Sequence, residues 1–153
     1  MAARTTLVTG GAGFIGSWLV ERLLERGERV RVLEKPGAAV DHLPLDRIDL
    51  IRADIADRAT VASAVRGCDL VYHLAAIPHL WALPRGLFRR VNYLGAVHVL
   101  DAALAAGASR VLHVSTESIL TRSNQIEAIN EDQAVTLDDS LGPYCRSKLL
   151  AEN

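Results

Sequence analysis

Apolar and polar positions along the chain follow two alternating periods. Short runs rich in Val, Ile and Leu predict buried β-strands, and the longer stretches between them have the spacing of amphipathic helices. The predicted strands cover residues 5–9, 29–34, 50–53, 70–74 and 111–115. Strands that alternate with helices in this way predict an α/β fold, a doubly wound parallel sheet with helices on both faces.

Four helices are predicted between and after these strands. The first covers residues 14–25, has one apolar face, and ends before Gly27, a suitable C-cap. A short helix follows Asp57, whose carboxylate is a suitable N-cap. A long helix covers residues 84–106, and the last one begins near Pro143. The helices and strands together predict one layered domain.

The C-terminal third of the chain lacks a clear period at first. Residues 117–142 are polar and are predicted to form a long loop, a length that is typical of functional or mobile segments. The helix after them is still running at Asn153, with no cap and no following strand. We therefore expect a single domain over residues 1–153, an unfinished sheet, and a longer natural chain.

Length and charge exclude several classes of protein. With 153 residues, 50% of them hydrophobic, the chain can form one sizeable core. The net charge is −1 at pH 7 with acids and bases intermixed, so there is no electrostatic footprint for nucleic acid or an anionic membrane. We see neither a signal-peptide pattern nor an apolar run of membrane-spanning length. A cytoplasmic protein without nucleic-acid or membrane partners is expected.

Metal-ligating residues are not clustered in the sequence. Cys68 and Cys145 are far apart and have no metal-ligand spacing, so free thiols in a reducing compartment are expected. His73 and His113 lie in apolar strands, where we interpret them as hydrogen-bonded core residues rather than ligands. No metal site is expected.

A glycine-rich segment directly follows the first predicted strand. Gly10, Gly13 and Gly16 can supply a tight turn, close backbone approach to a pyrophosphate, and helix–strand packing, which are the needs of a dinucleotide-binding turn. The next helix would direct free N–H groups and its positive dipole end at the phosphates, with Phe14 and Ile15 in its first turn. This spacing differs from the commoner i, i+2, i+5 pattern and indicates a subgroup.

Tyr144 and Lys148 lie four positions apart at the start of the last helix, so both side chains project from one face. A free phenol has a pKa of about 10, but an ammonium about 4 Å away stabilises the phenolate by about 4 kcal/mol at an effective dielectric constant of about 20. Such a pair can exchange a proton with a substrate hydroxyl or carbonyl. A bare Tyr-x-x-x-Lys is equally compatible with two surface side chains, so the surrounding motifs decide.

An acidic residue ends the second predicted strand. Glu34 can accept hydrogen bonds from the adenosine ribose hydroxyls and repel a 2′-phosphate, which favours NAD. Lys35 follows immediately and leaves NADP as the alternative. Asp54, after the third strand, is either a cofactor contact or a turn residue.

Five motifs occur together in one order. They are TGGAGFIG at residues 9–16, YHLAA at 72–76, VNYLGAVHVLDAA at 91–103, HVST at 113–116 and YCRSK at 144–148. On these residues the chain resembles the extended short-chain dehydrogenases/reductases, the NAD-dependent epimerase/dehydratase family. The segments 80–82 and 137–144 are similar to the branch that contains dihydroflavonol-reductase-like enzymes and hopanoid-associated sugar epimerases.

The resemblance implies a Rossmann fold with strand order 3-2-1-4-5 and a set of three catalytic residues. Thr116 would hydrogen-bond the reacting oxygen of the substrate, Tyr144 would transfer the proton and also contact the cofactor, and Lys148 would also hold the nicotinamide ribose. Ser115 would support the turn beside Thr116. Asn92 would be structural.

The resemblance also implies further contacts and partners. Asp54 would accept from the adenine amino group and Ile55 would pack on its ring, while Leu74, Ala75 and Ala76 would line the cofactor. In this family the substrate pocket is formed largely by a C-terminal region, which would follow the present residues. A small-molecule substrate and a homodimer are implied.

Three functions follow from the motifs. The first is an NAD(P)-dependent oxidoreductase or epimerase that acts on a C–OH or C=O group of a small molecule such as a nucleotide sugar. The second is a module that binds or senses NAD(P) without catalysis. The third is a sugar-nucleotide dehydratase, which ranks last because Thr116 is followed by only one carboxylate, Glu117, and then by Ser118.

Overall fold

A five-stranded parallel sheet forms the centre of the molecule. The computed structural model describes residues 3–84, 86–122 and 128–153. The strands are β1 (Thr5–Thr9), β2 (Arg29–Glu34), β3 (Ile48–Arg52), β4 (Leu70–His73) and β5 (Arg110–His113). Their order is β3-β2-β1-β4-β5 and every neighbouring pair is parallel, which confirms the predicted topology.

Helices follow the strands in the predicted order. They are α1 (Phe14–Glu25), α2 (Arg58–Val65), α3 (Gly86–Phe88), a π-helical segment (Arg89–Leu94), α4 (Gly95–Ala105), a short 3-10 helix (Glu117–Ile119) and α5 (Gly142–Glu152). The predicted N-cap is confirmed, since the Asp57 carboxylate accepts hydrogen bonds from the backbone N–H groups of Ala59 and Thr60. The predicted strand ends at β3 and β5 were wrong by one or two residues.

Two cores enclose the sheet because successive strand residues point to opposite faces. On one face Leu7 packs with Val61 of α2 and Val99 of α4. On the other face Val8 packs with Val20 and Leu23 of α1. Burial on both faces explains why the strands are continuous apolar runs rather than alternating ones.

The long helix predicted over residues 84–106 contains a wider turn that sequence periodicity did not show. Helical residues run from Gly86 to Ala105, but the segment Arg89–Leu94 is π-helical, and the Gly95 N–H reaches the Arg90 carbonyl. Arg85, which the predicted helix includes, lies outside the described residues. π-Segments of this kind are frequent at functional sites.

The predicted loop over residues 117–142 begins with the 3-10 helix Glu117–Ile119, its described residues up to Leu141 form turns and irregular backbone, and its last residue, Gly142, already begins α5. Its residues 123–127 lie outside the described residues. In the part of the chain that the structure describes, no helix combines the length and the apolar character needed to cross a bilayer.

Candidate functional site

The carboxyl ends of all five strands meet at one edge of the sheet because the strands are parallel. In doubly wound sheets, ligands bind at this edge, where the strand order reverses. Here the reversal lies between β1 and β4, and the glycine turn follows β1. The predicted site residues leave β1, β2, β3, β4 and β5 or begin α5, so the fold gathers them along this edge.

Two glycines of the turn are required by packing within the chain. Gly10 has a φ of +71°, and a Cβ added to it would lie 2.8 Å from the Ala75 backbone nitrogen. A Cβ added to Gly16 would lie 2.2 Å from the Gly10 carbonyl oxygen. Gly11, which the sequence analysis did not single out, is also confined, because its added Cβ would lie 2.7 Å from Cγ1 of Val32. Glycine at these positions lets β1, β4 and α1 approach each other.

Gly13 is confined less tightly than these three glycines. An added Cβ would meet only the Gly10 oxygen at 3.3 Å, and the backbone of Gly13 is in an extended conformation that any residue can adopt. Gly13 is the N-cap of α1 and has no side chain to cap the free N–H groups of the first turn, which includes Phe14 and Ile15. Phe14 and Ile15 are 84% and 61% exposed. This open helix end is suited to a diphosphate.

The carboxylate of Glu34 is bound to the glycine turn. Its Oε2 accepts a hydrogen bond from the Ala12 N–H at 3.1 Å, and its Oε1 accepts one from the Lys35 N–H at 3.0 Å. The side chain of Lys35 is exposed. The two residues that the sequence assigns to the choice between NAD and NADP therefore lie beside the turn.

Asp54 and Ile55 both make contacts within the chain. Asp54 Oδ1 accepts from the Ala56 N–H at 2.9 Å, which is the turn contact of the alternative interpretation, and Oδ2 pairs with Arg90 of the π-helical segment. Ile55 is only 7% exposed and packs against Gly95, where an added Cβ would lie 2.8 Å from its Cγ2. Its side chain is thus a core contact, and the expected packing on adenine stays a prediction.

The residues after β4 close the side of the glycine turn. Leu74, Ala75 and Ala76 are half-buried. The Ala75 N–H donates to Thr9 Oγ1 at 3.2 Å, which joins the ends of β4 and β1. Small side chains here permit the approach of Gly10.

Lys148 is buried at the end of β5. Only 2% of the residue is exposed, and Nζ donates a hydrogen bond to the Val114 carbonyl at 2.6 Å and lies 3.3 Å from His113 Nε2. Burial lowers the pKa of Lys148, and the charge of Glu152 acts in the opposite direction. Lys148 is therefore no ordinary surface lysine, and neither of its hydrogen bonds within the described residues goes to Tyr144.

Tyr144 occupies the first turns of α5, in accordance with the predicted start of that helix. It is half-buried, and its ring meets Phe88 edge-on with the centroids 6.5 Å apart. Since α5 packs against the π-helical segment and the 3-10 helix, the tyrosine is held between the long helix and the end of β5.

Thr116 follows β5 and caps the 3-10 helix. Its Oγ1 accepts from the Ser118 N–H at 3.3 Å and donates to the Glu117 carboxylate at 3.2 Å. Hydrogen bonds from its own backbone N–H, from Thr116 and from Ser118 lower the pKa of Glu117, so an ionised carboxylate lies beside the threonine hydroxyl. The supporting role expected of Ser115 is not seen, because its Oγ is buried without a hydrogen-bond partner among the described residues.

Asn92 has the structural role that the resemblance implied. It is 1% exposed in the π-helical segment. Its Oδ1 accepts from the Ile77 N–H at 2.8 Å, and its Nδ2 donates to the Ile77 carbonyl and to Ser147 Oγ. One side chain thus connects the segment after β4, the π-helical segment and α5. Within residues 3–84, 86–122 and 128–153, no group of three His, Cys, Asp or Glu side chains could hold a metal ion.

The chain is similar in sequence to one family of known proteins over nearly its whole length. Residues 6–153 match the model of the NAD dependent epimerase/dehydratase family. A 2-alkyl-3-oxoalkanoate reductase of Stenotrophomonas maltophilia is 33% identical over 95% of this chain and 44% of its own length. A 3 beta-hydroxysteroid dehydrogenase/Delta 5-->4-isomerase of Mycobacterium tuberculosis is 34% identical over 95% of this chain and 40% of its own length.

A solved structure shows the same fold. The UDP-glucose 4-epimerase of Thermus thermophilus in complex with NAD has a TM-score of 0.84 and 32% identity, over 97% of this chain and 48% of that one. The present chain spans less than half the length of each of these three proteins. The family model matches residues 6–153, and the sheet has the strand order that the resemblance implied. The chain therefore belongs to the NAD-dependent epimerase/dehydratase family of extended short-chain dehydrogenases/reductases.

Proposed function

We propose that the protein is an NAD(P)-dependent oxidoreductase or epimerase that acts on a C–OH or C=O group of a small molecule, with Tyr144 as the acid and base. The observation that carries this proposal is the buried ammonium of Lys148, held at the carboxyl end of β5 one helical turn from Tyr144. A charge is costly to bury unless it is bound and used.

The glycine turn fits the diphosphate of a dinucleotide. The open first turn of α1 offers backbone N–H donors, and Gly13 leaves the space in front of them free of a side chain. Glu34 beside this turn can accept from the adenosine ribose hydroxyls, which supports NAD, while exposed Lys35 leaves NADP as the alternative. When bound, the nicotinamide supplies the acceptor and donor of a hydride.

The chain's own residues supply the proton transfer. Tyr144, one helical turn from Lys148, would take a proton from a substrate hydroxyl and return it. The hydroxyl of Thr116, now donated to Glu117, is free to turn and hydrogen-bond the reacting oxygen. Lys148 has a third N–H beyond its two contacts, and this N–H can bind the nicotinamide ribose.

The substrate class follows from what the relatives' names share. One is named for an oxoalkanoate, one for a hydroxysteroid and one for UDP-glucose, and all three contain a hydroxyl or ketone carbon. A secondary alcohol or its ketone is therefore the proposed reacting group. Dehydration remains the third candidate, since relatives include dTDP-glucose 4,6-dehydratases, but Ser118 follows Glu117 where a second carboxylate would be needed.

A second candidate function is cofactor binding without catalysis. The present chain spans less than half the length of its relatives. If these residues act alone, they should bind NAD with no measurable turnover. The intact catalytic set argues for the enzyme. A homodimer through the long helix and α5, and a cytoplasmic location, are proposed with it on the resemblance.

The replacement Tyr144→Phe tests the enzyme proposal. It should lower kcat for oxidation of UDP-glucose or a 3β-hydroxysteroid, whichever the full-length protein turns over, by at least about a hundredfold, the usual contribution of a positioned acid or base. The dissociation constant of NAD should stay within about threefold, because Phe keeps the aromatic ring and the other proposed cofactor contacts are unchanged. Tyr93→Phe on the π-helical segment is the matched control and should leave kcat unchanged. Full activity of the Tyr144→Phe enzyme would refute the assignment.

A further inference from the structure

We propose that His113 is a positioning residue for Lys148, whose neutral imidazole accepts a hydrogen bond from the ammonium and, together with the Val114 carbonyl, fixes it at the carboxyl edge of the sheet. This inference deepens the proposed function and rests on it for its catalytic meaning. Its structural content can be tested without turnover.

The geometry gives the ammonium two acceptors on β5 and its continuation. Nζ lies 3.3 Å from His113 Nε2 and 2.6 Å from the Val114 oxygen. An ammonium has three N–H donors and no acceptor, so His113 Nε2 must be the acceptor. The remaining N–H is left for a ligand. Two fixed bonds define the direction of the third, which is what a group that must bind a ribose requires.

The acceptor role fixes the tautomer of His113. If Nε2 accepts, the ring proton lies on Nδ1, which is buried without a partner among the described residues. The ring stacks on His73 of β4, with centroids 5.0 Å apart, and His73 Nδ1 lies 2.7 Å from Thr9 Oγ1. The imidazole is therefore held between a second ring and the lysine.

The surrounding charges keep this imidazole neutral. The groups that face it are Lys148 and Glu152 of α5 and His73 of β4. Burial and the charge of Lys148 lower the pKa of His113 to about 4, while Glu152 acts to raise it. Burial, His113 and Lys148 lower the pKa of His73 to about 3. Both imidazoles are therefore neutral at neutral pH, and His113 Nε2 keeps the lone pair that accepts from Lys148.

Lysine titration by NMR tests the proposal directly. Lys35 and Lys148 are the two lysines of the sequence, so selectively labelled lysine gives two side-chain signals, and exposed Lys35 serves as the internal reference. Loss of a hydrogen bond to a charged donor should lower the titration midpoint of Lys148 in His113→Leu by about one pH unit, a tenfold change in its acid constant. Lys35 should not respond.

Two further variants separate positioning from folding. His113→Gln places an amide oxygen near the position of Nε2 and should restore the Lys148 midpoint, whereas His113→Asn is too short to reach Nζ and should not. Thermal unfolding of all three variants identifies any that fail to fold. If His113→Leu does not fold, the comparison of His113→Gln with His113→Asn tests the proposal. An unchanged Lys148 midpoint in the folded Leu or Asn variant would overturn the proposal.

The unmodified protein offers an independent check. Nitrogen NMR signals of His113 should show a protonated Nδ1 and an unprotonated Nε2 at neutral pH; the opposite tautomer would overturn the proposal with no substitution made. These readouts do not depend on catalysis. Full activity of Tyr144→Phe would refute the proposed function but not the His113–Lys148 hydrogen bond. An unchanged Lys148 titration midpoint in the folded His113 variants would refute the hydrogen bond but not the proposed function.

Discussion

Lys148 is the residue on which the proposed chemistry of the site depends. Its spacing from Tyr144 could be read from the sequence because both lie on one helix. Its two hydrogen-bond partners could not, because His113 and Val114, at the end of β5, lie 35 and 34 positions away. The same holds for the pair of Asp54 with Arg90, since no periodic pattern connects the end of β3 with the π-helical segment.

The two stacked histidines predict a pH dependence of stability. The folded pKa values of His73 and His113, about 3 and about 4, lie below the ordinary value of 6.5. The unfolded chain therefore binds more protons below pH 6.5, and the free energy of unfolding falls as the pH is lowered. The stability that the two neutral histidines contribute is complete above pH 6.5. It is lost as the pH falls from 6.5 to the pKa values of the folded state, about 4 and about 3.

Urea unfolding between about pH 6.5 and about pH 4.5 measures this effect. Each histidine should lower the free energy of unfolding by about 1.4 kcal/mol per pH unit once its unfolded form is protonated. The slope of the free energy of unfolding against pH should fall by the contribution of one histidine in His113→Gln. It should fall by the contribution of the other in His73→Asn, which keeps an amide near the Nδ1 position. Parallel curves for wild type and both variants would contradict the account.

At the scale of elements, most boundaries followed from the sequence. The Gly and Asp caps and the apolar periods placed α1, β1 and β2 at their observed bounds. The π-helical segment escaped prediction because the pattern of apolar residues over a single turn does not distinguish i→i−5 from i→i−4 backbone hydrogen bonds. Its consequence is visible only in three dimensions, where Asn92 reaches both Ile77 and Ser147.

Replacing Asn92 tests what the π-helical segment contributes. Asn92→Ala leaves the part-buried N–H and carbonyl of Ile77 without their side-chain partner and removes one of the two hydrogen bonds of the Ser147 hydroxyl, so the free energy of unfolding should fall by about 2–3 kcal/mol. Ser147→Ala removes the hydrogen bond from Asn92 and the one donated to the Tyr144 carbonyl, and should cost about 1–2 kcal/mol. Equal and small losses for both variants, measured by urea unfolding, would show that Asn92 does not hold the three segments together.

At the scale of the whole molecule, one edge of the sheet collects the glycine turn, the Glu34 carboxylate, Thr116 and the Tyr144–Lys148 pair. The parallel topology was predictable from alternating strands and helices, and with it the edge where these residues meet. What could not be predicted is how tightly the chain itself confines each glycine. A Cβ added to Gly10, Gly11 or Gly16 would lie less than 3.0 Å from a neighbouring atom, whereas one added to Gly13 would not.

NAD titration of the labelled chain, followed by NMR, tests the central claim that this edge binds a dinucleotide. NAD should shift the amide signals of the glycine turn and the side-chain signal of Lys148, whereas ADP, which lacks the nicotinamide ribose, should shift the turn alone. Gly13→Ala should weaken NAD binding by about tenfold or more without loss of the fold, because its methyl group occupies the space of the diphosphate. Gly86→Ala, with nothing within 4 Å of the added Cβ, is the matched control. If NAD leaves both the turn and Lys148 unshifted, or if Gly13→Ala binds NAD as tightly as the wild type, the account is contradicted.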